Sequence, residues 1–337
     1  MNKQELAEIA NAMVARGKGI LAIDESTPTI KKRFDSIGVR TSEDRRRAYR
    51  ELLITAPIQD YISGVILYDE TLRQSTKAGK KFAKVLSGAG ILPGIKVDTG
   101  AKPLAGHPGE LVTEGLDGLR ERLSEYRRLG ARFAKWRAVI SIGGGHPSSA
   151  CVSANAHALA RYASLCQEAS IVPIVEPEVL MDGDHSIEES YAVTSRVQRE
   201  VFAALSELGV YLEGVVLKPS MVVPGQQCST PASVAQVAEL TVRCLRNAVP
   251  SAVPGIVFLS GGQSPEDASA HLNAMNASSV LPWALSFSYG RALQAPALVA
   301  WGGKAKNVAA AQAALAHRAR LNSEASMGRY APEMEAL

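Results

Sequence analysis

Along this chain, short and nearly uninterrupted apolar runs alternate with longer stretches whose apolar residues recur every three or four positions. The first pattern predicts strands buried on both faces, the second amphipathic helices packed over them. The strand-like runs are GILAID (19–24), GVILYDE (64–70), PGIKVD (93–98), RFAKWRAVI (132–140), VPIVEPEV (172–179), EGVVLKPSM (213–221), GIVFLSGG (255–262) and WALSFSYG (283–290). Between them lie helical patterns such as LDGLRERLSEYRRLGA, NAHALARYASLCQEA and PASVAQVAELTVRCLRNAV. An N-terminal segment carries Leu6, Ile9, Met13 and Val14 on one helical stripe. An Ala-rich helix over 307–321 precedes a tail, GRYAPEMEAL, that reads as loose.

Eight such units in about 270 residues predict an α/β fold, a (β/α)8 barrel of TIM type. The expected organisation is one barrel domain over 1–337, with an N-terminal helix and a short tail from about 322. A doubly wound open sheet would carry a phosphate loop after its first strand. There is no GxGxxG, and the GKG at 17–19 lacks the rest of a P-loop.

Polar residues interrupt the strand runs mainly at their C-terminal ends: Asp24, Lys96 and Asp98, Lys135 and Arg137, Glu176 and Glu178, Lys218, Ser260, and Ser286 with Ser288. Residues two apart on a strand face the same way. At the C-terminal mouth of a barrel these positions converge on one cavity, where barrel enzymes keep their chemistry. An acid at a strand end is often a cap, which is the plain alternative for Asp24, and a single strand-end lysine often snorkels to water. Three lysines embedded among Val, Ile, Leu and Phe fit neither habit, because lysine is rarely buried unpaired. Buried ion pairs are poor devices for stability alone.

Composition changes this picture little. The chain has 337 residues, 46% hydrophobic and 21% charged, and a formal net charge of +4. The basic run DRRRAYR (44–50) reads as a solvated helix face headed by Glu43 and Asp44 rather than a nucleic-acid patch. A small anionic substrate accounts for a slight positive excess. No stretch resembles a signal peptide or reaches the roughly 18 apolar residues of a membrane span. The four cysteines show no CxxC pairing, which fits free thiols in a reducing compartment. The expectation is a cytoplasmic protein without nucleic-acid or membrane partners. MDGDH (181–185) reads as a solvated turn rather than a metal site, and GGGH (143–146) as a flexible loop.

A lysine amine attacks a carbonyl only when neutral, a form that apolar surroundings and neighbouring cations favour. Lys218, in VVLKP, has the apolar setting, and Lys135 is placed to supply the positive charge. An iminium formed there would act as an electron sink for breaking a carbon–carbon bond. Glu176, Glu178 and Asp24 would be the candidates to move protons. SGGQS (260–264) and YGRA (289–292) follow the seventh and eighth strand runs, where barrels commonly bind phosphate. The residues alone reach a Schiff-base lyase acting on a phosphorylated carbonyl compound and do not choose among sugars.

The segments GKGILAIDES, GVILYDETL, GIKVDTG, FAKWRAVI, IVPIVEPE, LEGVVLKPSMVVPG, FLSGGQS and WALSFSYGRALQ together resemble class I fructose-1,6-bisphosphate aldolases, collinearly from about Gly17 to about Trp301. The resemblance implies reversible cleavage of fructose 1,6-bisphosphate, in glycolysis, gluconeogenesis or the Calvin cycle, with no metal or other cofactor and usually as a homotetramer. It implies that Lys218 forms the Schiff base, Glu176 is the general acid/base for imine formation, and Glu178 is its hydrogen-bonding partner beside the lysine. Asp24 would take the C4 hydroxyl proton, Lys135 would assist imine chemistry, and Arg137 and Lys96 would bind substrate. Ser260, Gly261 and Arg291, with Ser288 and Gly290 beside them, would hold the phosphate of the dihydroxyacetone half. Ser26, Thr29 and Arg33 would lie near the other phosphate. Two departures stand out. Pro28–Thr29 replaces the family's frequent Gly-Ser, and a longer tail ending in tyrosine is not matched, Tyr330 matching an internal tyrosine. The tail difference carries the expectation of lower turnover or weaker substrate discrimination. Neighbouring readings are a sedoheptulose-bisphosphate-preferring or transaldolase-like lyase, and a scaffold without catalysis.

Overall fold

A computed structural model describes residues 1–278 and 280–336. Among the described residues ten strands are present: β1 (Gly19–Ile23), β2 (Ile62–Leu67), β3 (Leu92–Lys96), β4 (Gly100–Pro103), β5 (Leu111–Glu114), β6 (Phe133–Ile140), β7 (Val172–Val179), β8 (Val216–Leu217), β9 (Gly255–Phe258) and β10 (Ala284–Tyr289). Eight of them close a parallel barrel in the order β1-β10-β9-β8-β7-β6-β3-β2, with helices between successive strands. The strands β1, β2 and β7 are buried along their whole length, as strands covered on both faces must be. The remaining pair, β4 and β5, is an antiparallel hairpin above β3 that the apolar pattern does not announce, being short and half polar.

Two local departures from the expected strands have simple causes. The run 213–221 gives only a two-residue strand, because Leu212–Gly214 forms a 3-10 turn and Pro219 has no N–H to donate. The chain still follows the barrel wall: Lys218 N–H donates to the Val175 carbonyl at 2.8 Å, and Leu259 N–H donates to the Pro219 carbonyl at 3.1 Å. Opposite it, β7 tolerates Pro173 and Pro177 for the same reason. Val172 and Leu180 donate toward β6, so the odd-numbered residues, prolines included, face β8, where few partners need an N–H. The run 64–70 ends at Leu67, and Glu70 belongs to the helix Asp69–Arg73.

Inside the barrel, the lower half is apolar. Ile20, Ile66, Phe133, Val172, Ile174, Val216 and Val257 pack with Leu6, Ala10 and Met13 from the helix Lys3–Met13, which closes the base. Gly94 makes this layer possible, since a Cβ there would lie 2.2 Å from the Phe133 ring. The polar residues are thereby confined to the upper half. Ser286 is an exception to the expected grouping at the mouth. It faces the base, where its hydroxyl donates to the Lys18 carbonyl at 2.6 Å.

Two peripheral expectations are corrected. The basic run lies on the helix Glu43–Ile54, but its face is not wholly solvated: Arg46 pairs with Glu70, and Arg50, 2% exposed, pairs with Glu25. The C-terminal segment is docked rather than loose. The helix Val308–Ala325 extends past the expected end, and buried Arg318 on it pairs with Glu335 of the turn Pro332–Glu335. The Tyr330 hydroxyl also donates to Glu335, at 2.8 Å. Leu337 lies outside the described residues.

Closing the base by side-chain packing has a measurable cost when undone. Leu6→Ala empties a fully buried site and should lower unfolding free energy by about 2–5 kcal/mol in denaturant titration. A loss under about 1 kcal/mol would mean the helix does not plug the barrel.

Candidate active site

Four charged groups meet at the upper end of the barrel. Lys135 is on β6, Glu176 on β7, Lys218 follows β8 and Asp24 follows β1. Arg137 is level with Glu176 and Lys96 with Lys135 in the strand register, so the ladder itself sets the layers. The Lys218 ammonium lies 3.0 Å from Glu176 Oε1, and the Lys135 ammonium lies 3.2 Å from Glu176 Oε2 and 2.8 Å from Asp24 Oδ2. One carboxylate therefore bridges two lysines. Glu176 Oε2 meets Lys135 as a charge contact without an aligned hydrogen bond, which leaves that oxygen able to accept another.

Lys135, Glu176 and Lys218 are nearly sealed from water, and Asp24 is mostly buried. Burial alone would raise the Asp24 carboxyl, yet the charges of Lys135 and Lys218 hold it well below the carboxylate range. The same balance lowers Glu176: burial opposes ionisation, and Lys135, Lys218 and Arg137 overcome it. For Lys135 burial favours the neutral amine, but Asp24 and Glu176 raise it, so it stays a cation. Asp24 does not cap the helix Thr27–Asp35 that follows, which has no side-chain cap.

Around this centre the rim is tied in pairs. Arg137 holds Glu178, so Glu178, expected beside the lysine, is engaged by the guanidinium instead. Lys96 pairs with Asp98, whose other oxygen accepts from Arg137 N–H at 3.3 Å. Ser26 and Thr29 hydroxyls are 3.1 Å apart at the start of the helix Thr27–Asp35, where Pro28 fits the first turn without costing a hydrogen bond. Arg33 is bound to Glu25, which also takes Arg50 and, at 2.7 Å, the Gln294 amide. At the opposite wall, Gly261 adopts φ +54° in the turn 260–263, and the Arg291 guanidinium donates to its carbonyl at 2.7 Å. Ser288, 1% exposed, has a buried hydroxyl without a partner. Gly290 precedes Arg291 and lies beside Arg33, whose guanidinium would be 3.8 Å from a Cβ placed there.

One cavity of about 790 Å³ gathers Asp24, Ser26, Thr29, Arg33, Lys96, Asp98, Lys135, Arg137, Glu176, Glu178, Lys218, Ser260, Gly261, Ser288, Gly290 and Arg291, and of the polar residues singled out in the sequence Ser286 lies apart from it. Glu25, Lys32 and Tyr68 line it too and were not foreseen. For Glu25 the available signal was its position beside Asp24, immediately after the strand run 19–24. Seven cationic and five anionic side chains line the cavity, an excess suited to an anionic ligand.

Comparison with known proteins decides which chemistry this arrangement serves. The family model for fructose-bisphosphate aldolase class-I matches residues 5–337. The chain belongs to the class I fructose-bisphosphate aldolases. It is 60% identical over 332 residues to a probable fructose-bisphosphate aldolase class 1 of Xylella fastidiosa, covering 98% of this chain and 99% of the relative. It is 54% identical to fructose-bisphosphate aldolase 2 of Caenorhabditis elegans, covering 98% and 91%. The solved Plasmodium falciparum aldolase, in complex with TRAP and a small-molecule inhibitor, superposes with TM-score 0.97 at 51% identity, covering 98% and 96%. The barrel is thus an aldolase barrel, and this aldolase is a carbon–carbon lyase.

Two other segments of the aldolase differ from expectation. MDGDH is not simply a solvated turn: His185 is buried, and its backbone carbonyl accepts from Gly225 N–H at 2.8 Å. GGGH is a closed turn, with Gly143 bridged to His146 and His146 near Glu110.

Glu25 supports the rim through charge, which acid should reveal. Burial would raise its carboxyl, but Arg50 and Arg33 lower it. A depressed folded value stabilises the protein fully above the unfolded value of about 4.3 and less as pH falls through the folded one. Glu25→Gln should therefore cost about 3–5 kcal/mol at pH 7, where it strands buried Arg50. The gap from the parent should narrow below about pH 4, and a gap constant from pH 7 to pH 3 would contradict the assignment.

Proposed function

We propose that this aldolase cleaves fructose 1,6-bisphosphate to dihydroxyacetone phosphate and glyceraldehyde 3-phosphate through a Schiff base on Lys218, with Glu176 as its proton partner. The observation that carries the reading is the single carboxylate bridging Lys218 and Lys135. Passing the Lys218 proton to Glu176 across 3.0 Å gives a neutral amine, which attacks the ketone carbon. One amine proton moves to the carbonyl oxygen, Glu176 returns its proton to the same oxygen, and water leaves. The product is an iminium on Lys218 and an ionised Glu176. Lys135, held cationic by two carboxylates, supplies a fixed charge throughout.

Cleavage then needs a base at the C4 hydroxyl, and Asp24 is assigned that task. In the resting site its carboxylate is a weak base because two cations face it. As the C3–C4 bond breaks, its electrons neutralise the iminium and give an enamine. Asp24 loses the influence of one cation while it receives the proton, so its basicity rises when needed. Arg291, Ser260, Gly261, Ser288 and Gly290 are placed for the phosphate on the ketone half, and Ser26, Thr29, Lys96 and Arg33 for the other. Arg137 and Glu178 line the same cavity. The same reading carries a cytoplasmic homotetramer, which mass photometry and fractionation would check. No described helix is long and apolar enough to cross a membrane.

Borohydride reduction in the presence of dihydroxyacetone phosphate should leave one stable adduct, on the peptide bearing Lys218. Lys218→Met should abolish both the adduct and cleavage. An adduct on Lys96 or Lys135 would reassign the roles, and none on folded protein would remove the mechanism. Asp24→Asn should still form the adduct while slowing cleavage by about 10²–10⁴. Equal loss of both would place Asp24 in binding or imine formation instead. Cleavage rates for fructose 1,6-bisphosphate, fructose 1-phosphate and sedoheptulose 1,7-bisphosphate would rank the substrates.

A further inference from the structure

Beside the main cavity, and sharing its Arg137–Glu178 and Ser260–Gly261 walls, lies a side chamber of about 350 Å³. Loops following four successive barrel strands meet there. The turn 260–263 follows β9 and is closed by Gln263 N–H donating to the Ser260 carbonyl at 3.0 Å. Gly261 occupies its left-handed position, and Arg291, after β10, holds the Gly261 carbonyl from the cavity side. The next amide in the turn, Gly262 N–H, is engaged by the thioether sulfur of Met181 at 3.1 Å. Met181 belongs to the loop after β7, and its own carbonyl accepts from Gln226 N–H, after β8, at 2.7 Å.

Any side chain at Gly262 would push the Met181 and Gln226 side chains out of their places. A Cβ there would lie 2.8 Å from the Met181 sulfur and 2.0 Å from the Gln226 amide nitrogen. The sulfur also lies 3.7 Å from the Cβ position of Gly261. Met181 and Arg291 thus grip the single peptide group between Gly261 and Gly262, one at its N–H and the other at its carbonyl. The turn has no side chain of its own at Gly261 or Gly262 with which to fix its conformation, and glycine pairs are costly to order. Its orientation has to be imposed from outside.

We propose that Met181 is a positioning residue for the phosphate on the ketone half of the substrate. Its sulfur holds Gly262 N–H and so fixes the turn in the orientation that presents Ser260 and Gly261, with Arg291, to the anion. The inference rests on the assignment of that phosphate to this turn. Met181 does not line the cavity that holds Lys218 and Glu176, so its influence should fall on binding of the phosphate and not on the bond-breaking step.

The test separates the acceptor from the volume. Met181→Leu keeps the bulk and removes the acceptor, whereas Met181→Gln keeps a comparable length with an amide oxygen that accepts. Met181→Leu should raise KM for fructose 1-phosphate and the inhibition constant of inorganic phosphate about two- to fivefold, the loss expected for one weak hydrogen bond. Its kcat should stay within about twofold, and Met181→Gln should stay near the parent in all three. Borohydride trapping with unphosphorylated dihydroxyacetone should be unchanged in both variants. Equal behaviour of the Leu and Gln variants would overturn the acceptor role. A parallel loss with phosphorylated and unphosphorylated carbonyls would show general loosening and overturn it as well. If the parent enzyme itself formed no adduct on Lys218 with dihydroxyacetone phosphate, the reading of the site would fail. An adduct in the parent with no shift in Met181→Leu would fail this inference alone.

Discussion

Everything in this molecule is arranged around the placing of Glu176 between Lys135 and Lys218 where water is excluded. Taking a carboxylate or an ammonium out of water costs several kcal/mol for each ion even after relaxation. The cost is tolerable only when opposite charges are held at contact distance by a frame that does not yield. Here that frame is a closed ladder of parallel strands. The β6–β7 register puts Arg137 level with Glu176, and the backbone bond from Lys218 to Val175 fixes the third partner. The apolar lower half of the barrel, sealed by the N-terminal helix, keeps the charges from reaching water below. With two lysines and two carboxylates, the centre is neutral as a set, and a single proton transfer within it prepares the nucleophile.

Much of this was legible because the relevant rules are short-range. A strand alternates, so Lys135 with Arg137 and Glu176 with Glu178 had to share a face, and the C-terminal mouth of a barrel had to gather them. What the pattern could not supply was depth along the barrel axis. Ser286 and Ser288 are indistinguishable as alternating serines, yet one reaches the base and the other lines the cavity. Depth depends on how neighbouring strands are staggered, a property of the closed sheet and not of any one run. Pairings between distant segments were equally hidden. Arg50 reads as one of several arginines on a charged helix, and only the fold brings Glu25 to it. The docking of Tyr330 and Glu335 near Arg318 escaped notice for the same reason, since an acidic, proline-containing end resembles a free tail.

Asp24 and Glu25 show how adjacent carboxylates just beyond β1 acquire different work from the cations they face. Asp24 turns into the barrel toward Lys135, while Glu25 turns toward Arg33, Arg50 and Gln294. Both are kept ionised by cations against the effect of burial. The difference lies in whether those cations change during the reaction. A charge on Lys218 is created and consumed in the proposed cycle, so Asp24 can change its affinity for a proton. The guanidiniums facing Glu25 remain charged throughout, so it can only hold position.

The same division explains where the rigid and adjustable parts of the site lie. Groups that make and break covalent bonds sit on strands or on the first residue beyond them, where ladder hydrogen bonds leave little freedom. Most groups assigned to phosphate sit beyond the strands, on the glycine turn after β9, the segment after β10 and the helix Thr27–Asp35, with Lys96 and Ser288 near the ends of β3 and β10. Phosphate must enter and leave in every cycle, while the lysine–carboxylate geometry must survive each one unchanged. Backbone amides and guanidiniums can trade an internal acceptor for an anion at small net cost, because one hydrogen bond replaces another. In the structure Arg291 already donates to a carbonyl, and Gly262 to a thioether, which is a weak acceptor. Arg291 is thus held by a bond that an incoming anion can replace.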